Sequence, residues 1–262
     1  MKPFSEWDFT LKRYERLCKT FIDYGYKVTP ILDYLTHKRN FQAKYVVILR
    51  HDVDRKPFNA LKMAQVEADL GIKSTYYFRA KRSVFNPSVI KKIAHLRHEI
   101  GYHYENLADK HGDMERAIRD FEINLSKFRK LVPVKTICMH GSPLSKWDNR
   151  HLWKKYDYKD FGIIGEPYLS IDYKDIVYVT DTGRTWNSDK FSIRDKVTSN
   201  IKLQINSTTD LIRILRSKVY RVFFIQCHPE RWAVNLFEWT LSLLRDYLIN
   251  LVKVCPIMRT SS

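Results

Sequence analysis

The sequence predicts an α/β fold with mostly parallel strands. Apolar runs typical of strands alternate with amphipathic stretches typical of helices, in the order βαβαβαβ between Tyr45 and Met139. This alternation favours parallel strands with helices outside the sheet. The 262 residues, 44% of them apolar, suit a single domain over 1–262 with a sizeable core.

The N-terminal segment is predicted to be helical. Apolar residues recur there at helical spacing, at Trp7, Leu11, Tyr14, Leu17 and Phe21. A second short helix is predicted over residues 31–36. Residues 1–43 are therefore expected to form a helical extension that packs on the rest of the domain.

The central elements follow in a regular order. Strands are predicted at residues 45–49, 73–78, 99–104 and 135–139, and helices at residues 57–70, 87–96 and 113–131. Pro57 suits the first turn of its helix, and Gly71 suits the position just after that helix ends.

The C-terminal third is less regular. Strands are predicted at residues 161–164, 176–180 and 222–226, and the polar stretch 187–209 is predicted to be a loop with one short strand at most. The last helix, over residues 233–252, is apolar but interrupted by Glu238, Arg245 and Asp246. This pattern favours packing over a membrane span.

Two of the predicted strands end in ionisable groups. Asp52 and Asp54 follow the first strand, and His103 and Glu105 lie at the end of the third. Alternate side chains of a strand point to the same side, so each pair shares one side. Carboxylate and imidazole ligands suit zinc, manganese, nickel or cobalt. The alternatives are that the aspartates only shape a turn and that the histidine is a packed residue.

Further polar groups follow other predicted strands, namely His140, Asp181 and His228. The carboxyl ends of parallel strands meet at one edge of a sheet or barrel, where ligands bind. We therefore expect these side chains to gather around one site. Each of them could also be an ordinary turn residue.

Composition limits the partners and the compartment. The formal charge of +17 favours polyanions or anionic membranes, but no nucleic-acid-binding motif is present. A solvated basic surface is the simpler interpretation, with peripheral contact with an anionic membrane as the second. The four cysteines are scattered, and no signal peptide is visible. We expect a cytoplasmic protein with reduced thiols.

Four segments resemble the polysaccharide deacetylase superfamily, the NodB-homology group. The run from Leu49 to Asp54 stands where that family has Thr-Phe-Asp-Asp, and Gly71 to Phe78 is similar to its Gly-Ile-x-Ala-Thr-Phe-Phe strand. His98 to His103 matches its His-Glu-Ile-Gly-x-His segment, and Ile225 to His228 resembles its Leu-x-His element. The matches span residues 44 to 230 in the family's order.

The resemblance implies a distorted (β/α) barrel of about seven mostly parallel strands. It also implies a divalent metal, with zinc favoured over manganese, nickel or cobalt, that serves the hydrolysis of an acetylated sugar or saccharide intermediate. Asp52 would be the general base and His228 the general acid. Asp54 and His103 would hold the metal.

The chain departs from the family at the second metal histidine, where it has Leu107. Glu105 is the nearest substitute as third ligand, with His140 and His111 as the alternatives. The rival hypothesis is an inactive deacetylase-like barrel that binds a glycan or a polyanion.

Substrate contacts are expected from residues that follow the strand ends. His140, Asp181 and Trp186 are the candidates, and Trp147 and Trp232 could stack on sugar rings or pack against the rim. A Cys227–His228 dyad is excluded because adjacent strand residues face opposite sides. Ser142 lacks the Gly-x-Ser-x-Gly context of serine hydrolases. The sequence leaves the sugar, the acyl bond and the oligomeric state open.

Overall fold

The computed structural model describes residues 3–37, 43–186 and 191–254. Seven strands form one curled sheet, and every strand pairing in it is parallel. The strands are β1 (Lys27–Thr29), β2 (Val46–Val53), β3 (Thr75–Arg79), β4 (Glu99–Tyr104), β5 (Ile137–Met139), β6 (Val177–Thr180) and β7 (Val222–Cys227).

The strand order is β5-β4-β3-β2-β7-β6, and β1 pairs with the first half of β2. The sheet forms a half-barrel, in agreement with the predicted distorted (β/α) barrel. β1 comes from the segment that we predicted to be only helical. This N-terminal segment therefore contributes a strand to the sheet as well as helices.

Nine α-helical segments occur in the described part of the chain. They are α1 (Leu11–Asp23), α2 (Ile31–His37), α3 (Pro57–Asp69), α4 (Pro87–His95), α5 (Asn106–Asp109), α6 (Met114–Arg129), α7 (Pro167–Ser170), α8 (Thr208–Ser217) and α9 (Leu236–Val254). None of them combines the length and apolar character that a membrane crossing needs.

Local sequence signals set several helix boundaries. The hydroxyl of Thr10 accepts a hydrogen bond from the backbone N–H of Arg13 at the start of α1, and the Asp113 carboxylate caps α6 in the same way. Pro57 begins α3. Gly71, just beyond its end, has a φ of +70°, which glycine adopts without steric cost.

The two faces of the sheet have different partners. One face looks into the half-barrel and packs Ile48, Tyr77, Cys138 and Phe224 together. The other face packs against the surrounding helices in two larger apolar clusters. Since side chains alternate along β2, Arg50 and Asp52 share the inner face and His51 points to the helices.

Two predictions for the C-terminal third are wrong or incomplete. Residues 161–164 form no strand: Tyr158–Phe161 is a 3-10 turn, and only Gly165 makes an isolated bridge to Thr136. The predicted loop 187–209 runs into α8, and residues 187–190 lie outside the described residues. Helix α8 is amphipathic, with Leu211 and Leu215 buried, so its periodicity was a signal that the sequence interpretation missed.

Candidate functional site

The carboxyl ends of the strands surround a cavity of about 350 Å³. Five of the predicted site residues line it together, namely Asp52, Asp54, His103, His140 and His228. The all-parallel sheet is the reason, because it places the ends of β2, β4, β5 and β7 at one edge.

Asp52 is buried and accepts three hydrogen bonds. Arg50 binds it through two parallel contacts, Nε to Oδ1 at 2.7 Å and a terminal nitrogen to Oδ2 at 2.5 Å. The Gln226 amide donates to the same Oδ2 at 2.7 Å. Although burial alone would raise it, Arg50 and His103 bring the pKa of Asp52 below its ordinary value. Asp52 is therefore held as a carboxylate.

Asp54 lies just past the end of β2, between two imidazoles. His103 Nε2 is 3.4 Å from Asp54 Oδ1, and His140 Nε2 is 3.6 Å from Asp54 Oδ2. Oδ1 is buried and accepts no hydrogen bond from the described residues. Burial opposes ionisation here, but His140 and His103 hold the pKa of Asp54 well below its usual range.

The tautomer of His103 follows from its other nitrogen. Nδ1 lies 3.0 Å from the carbonyl oxygen of Cys138, and a carbonyl only accepts, so Nδ1 carries the proton and donates it. In the neutral ring, Nε2 then presents its lone pair to Asp54 at 3.4 Å and to Asp52 at 3.6 Å. A lone pair that faces two carboxylates is an arrangement that a bound cation would stabilise.

Glu105 does not join Asp54. It forms a two-point ion pair with Arg79, at 2.8 and 2.6 Å, and its Oε2 lies 3.3 Å from Nδ1 of His140. These contacts offset burial and lower the pKa of Glu105 to about 2. His140 thus lies between two carboxylates, which outweigh burial and raise its pKa to about 9. Of the candidates for a third ligand, His140 faces Asp54, whereas Glu105 is paired with Arg79.

A second donor group lies deeper in the half-barrel. One donor atom each from Asp52, His103 and Cys138 lie within 4.8 Å of one another, so this buried group could hold a metal ion. Two features make this group a poor cation site. Arg50 already neutralises Asp52, and burial raises the pKa of the Cys138 thiol well above its ordinary value. Thiolate, rather than thiol, is the metal ligand.

His228 forms a buried pair with Asp181. Its Nδ1 lies 2.6 Å from Asp181 Oδ1, and its backbone N–H also donates to this carboxylate. Trp232 and Arg231 complete the shell around Asp181, at 2.9 and 3.2 Å. Burial and Arg231 lower the pKa of His228, but Asp181 outweighs them and the net shift is upward. We predicted that Asp181 contacts substrate, but it is fully buried and does not line the cavity; it accepts hydrogen bonds from His228 instead.

The tryptophans that we predicted near the substrate lie in different places. Trp186 is only 2% exposed, donates to the hydroxyl of Thr208 at 3.0 Å and packs in the apolar core, so the prediction that it contacts substrate is wrong. Trp232 is also buried. Trp147 and His111 line a neighbouring cavity of about 600 Å³.

That neighbouring cavity shares Arg79, His140 and Pro143 with the first, so the two lie side by side. Leu107, which the predicted resemblance aligns with a metal histidine, is fully buried in one of the apolar clusters between sheet and helices. The neighbouring cavity offers room for a ligand larger than one that fills the first.

The sequence interpretation missed the arginines of the site. Arg50 holds Asp52, and Arg79 holds Glu105. Both could have been found from their positions, because Arg50 lies two residues before Asp52 and Arg79 directly follows the predicted strand 73–78. Arg55 and Glu230 also line the cavity and pair at 3.2 Å. Nothing in the sequence around them indicates that contact.

A scan against models of protein families finds no match for this chain, and a search of the curated proteins finds none either.

Proposed function

We propose that this chain is a metal-dependent hydrolase that removes an acetyl group from an acylated sugar or saccharide intermediate. The observation that carries the proposal is Asp54, whose two oxygens face the Nε2 atoms of His103 and His140 at 3.4 and 3.6 Å. Aspartate with two histidines is a donor set that suits zinc and related divalent ions.

Bound at Asp54, His103 and His140, the ion would lower the pKa of a water molecule and polarise the acyl carbonyl. Asp52 accepts a proton from the attacking water, and its contacts with Arg50 keep it ionised for that role. His228, aligned by Asp181, donates a proton to the departing amine or alcohol. This division of roles follows the predicted resemblance, with His140 in place of Glu105.

Cavity size and lining support a small polar substrate. A volume of about 350 Å³ lies near the lower end of small-molecule sites, which span roughly 300 to 1,000 Å³. Its wall is mostly ionic, and the neighbouring cavity supplies an aromatic side chain at Trp147. A ligand with many hydroxyl groups fits such a wall better than an apolar one does.

The second candidate is a binding protein without catalysis, and one observation favours it. Six cationic side chains line the cavity: Arg55, Arg79, Arg194, Arg231, Arg245 and Lys253. Such a lining would attract a phosphate or carboxylate group. A glycan or polyanion could bind there with no metal present.

Metal content separates the two candidates. Purified protein is loaded with Zn²⁺, dialysed and analysed for metal per chain. We expect about one ion per chain. The affinity for zinc should fall by at least about 100-fold in Asp54→Asn and in His140→Gln, because loss of a group that only supports a ligand already costs roughly 10- to 100-fold. Glu230→Gln is the matched control, since it removes another cavity carboxylate and should keep the ion.

Activity is then measured as acetate released from N-acetylglucosamine and its oligomers. Loss of acetate release in the same two variants supports the hydrolase. Failure of the wild-type protein to retain zinc, manganese, nickel or cobalt under any loading condition would refute it in favour of the binding protein.

A further inference from the structure

Helix α9 exposes an apolar face that no described residue covers. Nine of its large apolar side chains are between 38% and 73% exposed. They are Leu236, Phe237, Leu241, Leu243, Leu244, Tyr247, Leu248, Leu251 and Val252. At 100° per residue they fall within about half of the helix circumference. Contiguous exposed apolar surface of this kind marks an interaction site.

The opposite face of α9 is largely polar and attaches the helix to the domain. The Ser242 hydroxyl donates to the carbonyl of Glu230 at 3.0 Å, and the Asn250 amide donates to the carbonyl of Gly183 at 2.8 Å. Asp246 is buried beside Arg55 and Arg231, at 3.4 and 3.6 Å. This is the reverse of an ordinary surface helix, which buries its apolar side.

A basic residue of α3 lies beside α9. Lys62 lies 3.9 Å from Glu238 of α9. Phe58, which is 61% exposed, lies one turn before Lys62 on the same side of α3. Arg245 of α9 is also exposed. Lys62 and Arg245 thus place basic groups near the apolar face, in a chain whose formal charge is +17.

We propose that α9 lies in the surface of an anionic lipid bilayer. An apolar half-cylinder of leucine and aromatic residues beside basic groups is the pattern of an interfacial helix, whose apolar side enters the boundary between headgroups and acyl chains. A coiled-coil seam with a second copy would need a narrower stripe. A second copy would also bring another +17 charge to the contact.

The inner side of the same helix borders the candidate site. Arg245, Ile249 and Lys253 line the cavity. A bilayer against α9 therefore lies next to the cavity, where it would present a saccharide carried on a lipid. This consequence rests on the proposed function, whereas the membrane contact does not.

Vesicle co-sedimentation of the full chain tests the contact. We expect at least about tenfold stronger partition into phosphatidylcholine vesicles that contain phosphatidylglycerol than into phosphatidylcholine alone, weakening as salt rises. The double variant Leu244→Glu with Leu248→Glu should lose at least about tenfold of this partition. Val219→Glu is the matched control, because Val219 is 68% exposed outside α9, and should bind as the wild type does.

Three results would overturn the proposal: no partition into anionic vesicles, unchanged partition of the folded double variant, or a stable dimer by light scattering that the double variant abolishes. The last would show that a second copy covers the face. If the double variant does not fold, hydrogen exchange of the wild type on vesicles decides. Protection confined to α9 and the start of α3 supports the contact, and protection elsewhere refutes it.

Discussion

Asp52 and Asp54 are two residues apart and have opposite surroundings. Arg50 and Gln226 donate hydrogen bonds to the oxygens of Asp52. The oxygens of Asp54 face two imidazoles instead, and Asp54 Oδ1 accepts no hydrogen bond from the described residues. Titratable pairs placed in different environments take different chemical roles. We therefore assign proton transfer to Asp52 and cation binding to Asp54.

Asp52→Asn tests this division. The amide cannot accept a proton, so we expect kcat to fall by roughly 10²- to 10⁴-fold, the usual worth of a general base. Bound zinc should stay at the wild-type level, because Asp54, His103 and His140 remain. The measurement is acetate release together with metal per chain.

Asp195→Asn serves as the control, since Asp195 lines the same cavity but accepts a hydrogen bond from Tyr168. Its effect on kcat should stay below about tenfold. If Asp52→Asn retains full activity, Asp52 is not the base, and if it loses the metal, Asp52 is a ligand.

Strand β2 connects the site to a second polar cluster on its other face. His51 points away from the cavity and contacts Glu67 of α3 at 2.7 Å. Glu67 also accepts hydrogen bonds from Tyr14 of α1 and from Ser74, which precedes β3. One buried carboxylate thus joins α1, α3, β2 and the residue before β3. It holds these elements together on the helix-covered side of the sheet.

This cluster should make the fold sensitive to acid. Burial alone would raise the pKa of Glu67, but the contacts of Glu67 with His51 and His98 lower that pKa from 4.5 to about 2. A carboxyl group with a lowered folded pKa stabilises the protein above its unfolded pKa, and this contribution is lost as pH falls from about 4.5 towards 2. His98 acts in the same direction, because burial lowers its pKa in the folded state. Below about pH 6.5 the unfolded chain therefore takes up a proton at His98 more readily than the folded chain does, which favours unfolding.

We therefore expect the free energy of unfolding, measured with urea, to decrease from neutral pH towards pH 3. For Glu67 the full loss is on the order of 3 kcal/mol. Glu67→Gln should be less stable at pH 7 and have a flatter profile below pH 4.5. Glu122→Gln, at an exposed position of α6, should parallel the wild type. A steep wild-type profile that Glu67→Gln retains unchanged would contradict this assignment.

At the scale of the whole molecule, the three proposed metal ligands come from distant parts of the chain. Asp54 follows β2, His103 belongs to β4 and His140 follows β5. A cation bound by all three holds those strand ends together only in the folded state. Ligands that bind the folded state alone raise its stability by mass action.

Zinc should therefore raise the thermal midpoint. At a free concentration of about 100 times Kd the gain is about 2.7 kcal/mol, which corresponds to roughly 5 to 10 °C for a chain of this size. Differential scanning fluorimetry with and without a chelator measures the shift. Mg²⁺ should give a smaller shift, since it prefers oxygen ligands. If zinc raises the thermal midpoint of Asp54→Asn as much as that of the wild type, the ion binds elsewhere.

Much of the fold could be predicted from the sequence. Local periodicity and caps located α1, α3, α4, α6 and most of the strands, because they depend on neighbouring residues. The βαβ alternation predicted the parallel sheet, and with it the gathering of Asp52, Asp54, His103, His140 and His228. The three-residue strand β1 and the irregular segment 161–164 were misjudged, because elements so short take their form from tertiary pairing.

The sequence by itself determined which residues reach the edge of the sheet, since strand alternation and parallel order are local and topological properties. Only the tertiary structure decided their partners. It joined Glu105 to Arg79, placed His140 beside Asp54, buried Trp186 in the core and left the apolar side of α9 exposed. Contacts between side chains on different strands depend on register, curl and loop paths, which no single segment of the chain specifies.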